Sequence, residues 1–115
     1  MEFTDAFHRW WSGLASDVRV AITARVTLLE ERGATLGFPY SSGVLASRHA
    51  HMRELRLQCH GRPYRVLYAF DPRRIAILLI GGDKTGDNRF YETMVPRADG
   101  LYDEHLSFLA EEDLI

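Results

Sequence analysis

MRELRLQCHGRPYRVLYAFDPRRIAILLIGGDK, residues 52–84, holds three short strands in succession, and the polar positions between them are mostly arginine. From Arg53 the period is two: Leu55, Leu57 and Cys59 point one way, Glu54, Arg56 and Gln58 the other. Arg56 therefore stands on the face opposite the core. His60-Gly61-Arg62-Pro63 reads as a turn, because glycine tolerates positive φ and proline cannot donate to a ladder. The next strand runs from Tyr64 to Phe70, with Val66, Tyr68 and Phe70 on one side and Arg65, Leu67 and Ala69 on the other. Asp71-Pro72-Arg73-Arg74 places proline where a type I turn prefers it, so this strand and Ile75–Ile80 form a hairpin. Ile75–Ile80 is apolar on both faces, as expected of the central, most buried strand, and Gly81-Gly82 is read as its end.

Outward from the sheet, both flanks read as helical. Thr4 is placed to cap a short helix carrying Phe7, Trp10 and Trp11, and Gly13 interrupts it. From Leu14 onward, Val18, Ile22, Val26 and Leu29 recur at helical spacing, and Gly33 is the expected C-terminal cap. Residues 33–50, rich in Gly, Pro and Ser, read as a loop crossing to the sheet. Beyond it, Ala98, Leu101, Tyr102, His105, Phe108 and Leu109 share one helical face, with Pro96 in the first turn. The order is helix, helix, three antiparallel strands, helix. This predicts an α+β domain with its N-terminal helices and C-terminal helix against one face of a small antiparallel sheet.

The 115 residues fit one domain, 1–115, and an apolar fraction of 46% with 26% charged residues is ordinary for a soluble globular protein. The longest uninterrupted apolar run, Ile75–Ile80, is far short of a membrane helix, and the acidic-then-aromatic N-terminus does not look like a signal peptide. A single cysteine cannot form an internal disulfide, so a reducing, cytoplasmic setting is the expectation. The net charge of −2 hides a segregation: residues 47–97 carry +5, residues 1–46 carry −1 and the last eighteen carry −6. The basic middle favours an anionic partner, against the plainer reading of solvated surface charge.

Several motifs carry little. Gly81-Gly82-Asp83-Lys84-Thr85-Gly86 lacks the spacing of a nucleotide-binding loop and more simply turns the chain. His49 and His51 lack a third ligand, so no metal or cofactor is expected. Cys59 falls on the inward side of its strand, and His105 on an apolar helix face reads as a hydrogen-bonded core residue.

Glu54-Leu55-Arg56, then Gly61-x-x-Tyr64-Arg65-Val66-Leu67-Tyr68, then the apolar strand ending in Gly81-Gly82-Asp83-Lys84, with Tyr91 and Ala98 beyond, together resemble the RelE/HigB toxins of bacterial type II toxin–antitoxin systems, in the phage-derived HigB-like branch. The resemblance spans roughly residues 10 to 110 and implies a RelE-like fold whose concave sheet face receives RNA. It also implies metal-independent cleavage of messenger RNA, usually at the ribosome, in which the 2′-hydroxyl attacks the adjacent phosphate. On that mapping Arg56 and Arg65 hold the scissile phosphate and Tyr91 stacks on a base or takes part in proton transfer. Arg62, Lys84, His60 and Arg53 would bind RNA around them. The competing reading of Arg56 and Arg65 is salt bridging to Glu54 and the acidic C-terminal segment, and of Tyr91, plain packing. Asp83 beside Lys84 departs from the paired basic residues common in such proteins. The implied partners are the ribosome, messenger RNA and a cognate antitoxin of helix-turn-helix type, with operator DNA reached only through the antitoxin. Two other readings share the resemblance: a ParE-like toxin acting on DNA gyrase through protein contacts, and an inactive antitoxin-binding relative.

Overall fold

A computed structural model describes all residues, 1–115. In chain order the elements are β1 (Glu2–Phe3), α1 (Asp5–Ser12), α2 (Ser16–Arg32), β2 (Ser41–Gly43), β3 (Arg53–Cys59), β4 (Arg62–Phe70), β5 (Ala76–Asp83) and α3 (Phe90–Glu111). The class is α+β, as expected. The strands form one five-stranded sheet in the order β1-β5-β4-β3-β2, in which β1 pairs parallel to β5 and the other neighbours are antiparallel. Two edge strands are thus added to the predicted three. Two or three residues are too short to show a period, and β2 lies inside the segment read as a loop. With β1 outside β5, the central strand is β4 rather than the Ile75–Ile80 strand.

Local chemistry explains the turns. His60 (φ 53°) and Gly61 (φ 75°) both occupy the left-handed region, which is what a two-residue hairpin loop requires to match strand twist. At the other hairpin the Asp71 carbonyl accepts from Arg74 N at 2.7 Å, and its carboxylate accepts from Arg73 N at 2.8 Å. Thr4 caps α1 by accepting from Phe7 N at 3.0 Å and ties it to β5 by donating to the Leu79 carbonyl at 2.6 Å.

The main correction concerns the layers. The sheet is covered on both faces, not one. Leu55, Leu57, Val66, Tyr68 and Leu78 pack with Phe7, Val18, Ile22 and Leu29 of α1 and α2. Leu67, Ala69, Leu79 and Ile80 pack with Phe90, Met94, Val95, Ala98 and Tyr102 of α3 on the other face. Leu55 and Val66, a cross-strand pair with no exposed surface, contribute about 1.5–3 kcal/mol each by burial. α3 lies over β5 and β4, and on β3 it is Arg56 and Gln58 that stay accessible while Glu54, and Met52 just before the strand, are buried.

Three further details differ from the reading above. Gly81 and Gly82 do not end β5 but lie within it, and both are needed there. A Cβ on Gly81 would sit 2.2 Å from the Trp10 ring, and one on Gly82 would sit 2.8 Å from the Phe90 ring. Pro96 lies seven residues into α3, not in its first turn. It removes the N–H that would bond the Glu92 carbonyl, but Glu92, Thr93 and Pro96 face solvent while Phe90, Met94 and Val95 are buried, so packing outweighs the lost bond. A bulge in β5 opposite Leu67/Tyr68 puts both Leu79 and Ile80 on the α3 face and shifts the alternation beyond it. Gly82, paired with Arg65, therefore shares the α3 face with it. No helix is long and apolar enough to cross a membrane.

Candidate functional site

The register of β3 and β4 pairs Glu54 with Leu67 and Arg56 with Arg65, so Glu54, Arg56 and Arg65 rise from one face of the sheet. The first turn of α3 brings Tyr91 over them. Its hydroxyl donates to Glu54 Oε1 at 2.7 Å and approaches Oε2 at 3.1 Å. Arg65 is almost wholly buried, with Nε 3.1 Å from Glu54 Oε1 and Nη1 donating to the Tyr64 carbonyl at 3.0 Å. The Arg65 Nε–H is not aligned on that carboxylate and has no hydrogen-bond acceptor. Arg56 Nη1 lies 4.0 Å from Glu54 Oε2 and its side chain keeps 28% exposure. Burial, then the hydrogen bond to Glu54 and its charge, raise the Tyr91 phenol above its usual range, with Arg65 opposing. Lys84 Nζ stands 5.5 Å from the Tyr91 ring centroid.

The structure thus gathers Arg56, Arg65 and Tyr91 around one buried carboxylate, with Lys84 over the Tyr91 ring. A charged pair held at such low exposure is expensive to desolvate, and removing one partner leaves the other uncompensated. Glu54 is the residue that the mapping by motif did not include, although its period-two position already shared a face with Arg56. Arg25, Phe38 and Tyr40 complete the open side of this site, lining a concavity of about 280 Å³ with Arg56 and Arg65. Nothing local in the sequence marks them, since Arg25 sits on the polar side of α2 and the two aromatics in the interconnecting loop.

The remaining predicted residues lie elsewhere. Arg62, the first residue of β4, pairs with Asp83 at the end of β5 at 3.0 Å, and the His60 ring pairs with Asp17. Burial raises the Asp83 carboxyl, but hydrogen bonds from Thr85 and Arg62 outweigh it and hold the group below its usual value. Asp83 accordingly closes the turn after β5, accepting from Thr85 N at 2.9 Å. Arg53 is a brace: Nε donates to Ser41 Oγ at 3.1 Å and Nη2 to the Leu36 carbonyl at 3.3 Å. His49 donates from its ring to the Asp103 carboxylate at 2.9 Å, and His105 is bonded to Asp71 at 2.9 Å. Asp17, Cys59 and His60 place donor atoms within 4.8 Å of one another, the spacing of a metal-ligand set. In the structure the His60–Asp17 pair already occupies two of the three.

Chemically, two guanidiniums and an ammonium around a phenol suit a phosphodiester: the cations match its charge, and arginine stays charged while reaching two phosphate oxygens.

Residues 9–103 match the family described as Phage derived protein Gp49-like. Mycobacterium tuberculosis HigB3, named as a toxin, is 45% identical over 92 residues, 79% of this chain and 79% of that protein. HigB2 of the same organism, also named as a toxin, is 40% identical over 100 residues, which are 85% of this chain and 50% of HigB2. The chain thus spans half the length of one of these relatives and most of the other. A chain in the crystal structure of the intact E. coli RelBE toxin–antitoxin complex aligns with 15% identity and a TM-score of 0.43, covering 70% of this chain and 90% of that one.

Proposed function

We propose, from the premise that this chain belongs to the phage-derived Gp49-like family together with the HigB proteins, that it is the toxin of a type II toxin–antitoxin pair and cleaves messenger RNA on the ribosome. The observation that carries the chemistry is the Arg56–Arg65 register pair lining one concavity, with Tyr91 and Lys84 beside it. In the reaction the RNA 2′-hydroxyl loses its proton and its oxygen bonds to phosphorus. The bond from phosphorus to the 5′-oxygen breaks, and that oxygen takes a proton. Arg56, the more exposed arginine, meets the phosphate first, and Arg65 stabilises the charge that accumulates on the phosphorane. Tyr91, kept protonated by burial and by Glu54, gives its proton to the leaving oxygen. Glu54 orients both Arg65 and Tyr91 and takes the 2′-proton. Lys84, Arg62 and His60 would steady flanking phosphates, and Arg53 would act only by bracing β2 against β3.

The partner of such a toxin is a cognate antitoxin, a small helix-turn-helix protein that neutralises it and represses their shared operon; operator DNA is reached only through it. The setting is the cytoplasm, where ribosomes are. Controlled expression, with translation followed and messenger RNA 5′ ends mapped, tests the reading. New 5′ ends that vanish in Arg56→Ala are expected. Growth arrest without new ends, accompanied by DNA-damage signals, would replace this reading with gyrase poisoning, and absence of any arrest would leave an antitoxin-binding relative.

A further inference from the structure

β2 covers only Arg53–Leu55 of β3, so from Arg56 onward the strand edge meets no other strand. The Phe38-Pro39-Tyr40 segment crosses that edge instead, with the Tyr40 carbonyl accepting from Arg56 N at 2.8 Å. Phe38 is 76% exposed there, a large aromatic with no packing role. The Arg56 guanidinium carbon lies 5.4 Å from its ring centroid. Tyr40 is flanked by Arg25 at 4.8 Å and Arg32 at 5.8 Å, so its face holds Arg25 in place. Arg25, Arg56 and Arg65 therefore share one concavity whose lining includes no carboxylate. Glu54 lies behind Arg65 and 4.0 Å from Arg56, and no carboxylate faces Arg25 from the lining, so the open side of the groove keeps a net positive charge that favours an anion.

We propose that this groove binds one nucleotide of single-stranded RNA beside the scissile phosphate, its base stacked on Phe38 and its phosphate held between Arg25 and Arg56. The inference rests on the ribonuclease reading and names a subsite of the same site. The pairing of a solvent-facing aromatic with planar guanidiniums is what single-stranded nucleotides require, since every base has a stacking face and every linkage a charge. An acidic peptide would satisfy the arginines and leave Phe38 without a partner.

The test is fluorescence anisotropy with a 5′-fluorescein-labelled eight-nucleotide single-stranded RNA and no ribosome, comparing wild type with Phe38→Ala, Phe38→Trp and Arg25→Gln. Phe38→Ala is expected to weaken binding about tenfold and Phe38→Trp to restore it. Arg25→Gln should reduce the slope of log affinity against log salt by about 0.7. Unchanged affinity in both Phe38→Ala and Arg25→Gln, with wild-type circular dichroism, overturns the subsite. So does an eight-residue polyglutamate peptide that binds as tightly with the same Phe38 dependence, which would assign the groove to an acidic protein segment. Mapping of messenger RNA ends separates the two readings. RNA-binding losses without any wild-type cleavage ends keep the subsite and remove the nuclease; cleavage unaltered by Phe38→Ala keeps the nuclease and removes the subsite.

Discussion

Two buried carboxylates, Glu54 near one end of the β3–β4 pair and Asp71 at the turn after β4, are each surrounded by arginine and an aromatic or imidazole partner, yet they are built differently. Asp71 is saturated. Its oxygens accept from Arg73 N, from Arg73 Nε and Nη2 at 3.1 and 2.7 Å, and share a bond with His105, so the carboxylate closes the hairpin and docks α3 on it. Glu54 is looser: Tyr91 bonds it well, Arg65 Nε approaches at 3.1 Å without alignment, Arg56 stands 4.0 Å off and Ser42 Oγ 3.4 Å. The same residue chemistry is structural where every donor is used and available for a ligand where donors remain idle beside an open edge.

Substitutions can break this comparison, beginning with the largest effect. Asp71→Ala should cost about 3–5 kcal/mol in urea unfolding, because it strands buried donors, and Arg65→Ala should cost a similar amount by leaving Glu54 unpaired. Loss of stability in the second but not the first would reverse the two assignments. Arg56→Ala should lower cleavage roughly 100- to 1,000-fold, measured as the yield of new messenger RNA 5′ ends, while shifting stability by less than about 1 kcal/mol. Tyr91→Phe removes a hydrogen bond to a buried carboxylate and should cost about 1.5–3 kcal/mol, with cleavage lowered as well. A stability loss with cleavage unchanged would reduce Tyr91 to packing.

The acid limb gives a finer distinction. Burial raises the Asp71 carboxyl, but the hydrogen bonds from Arg73, His105 and the Ile75 and Arg73 N–H groups outweigh it and hold the group below 3.8. A depressed folded value stabilises the native state at all pH above the unfolded value and loses that contribution as pH falls through the folded one. The stability gap between wild type and Asp71→Asn should therefore shrink as pH falls below about 4, read as urea midpoints; a gap undiminished at about pH 3 would exclude this cause. The smallest effect is expected at Arg62→Ala, whose exposed pair with Asp83 should change RNA affinity less than about threefold and leave the unfolding midpoint in place.

Much of this was legible in the residues themselves. Thr4, the Val18-Ile22-Leu29 stripe, Gly33 and the Asp71–Arg74 turn follow from capping, helical spacing and turn chemistry and lie where expected, whereas the first hairpin turns on His60-Gly61 alone, with Arg62 and Pro63 already in β4. The placement of Arg56 and Arg65 opposite Leu55 and Val66 follows from period two alone. Pro96 lies inside α3 because the side of the helix it interrupts faces water, which no local rule for proline encodes. That α3 covers the second sheet face had one signal, the Ile75–Ile80 run apolar on both faces, but nothing in the helix itself chose the side, since an amphipathic helix packs equally well on either side of a sheet.

The sequence by itself determined which residues share a strand face, because alternation is a property of the extended backbone and needs no neighbour. It therefore determined that Glu54 and Arg56 stand together, and the hairpin register then brought Arg65 to the same face. Only the tertiary structure decided what surrounds them. The β5 bulge places Gly82 beside Arg65, α3 delivers Tyr91 from 37 residues beyond Glu54, and α2 with the Phe38-Tyr40 loop closes the groove. These contacts join segments far apart in the chain, so their geometry depends on how layers pack and not on any local preference.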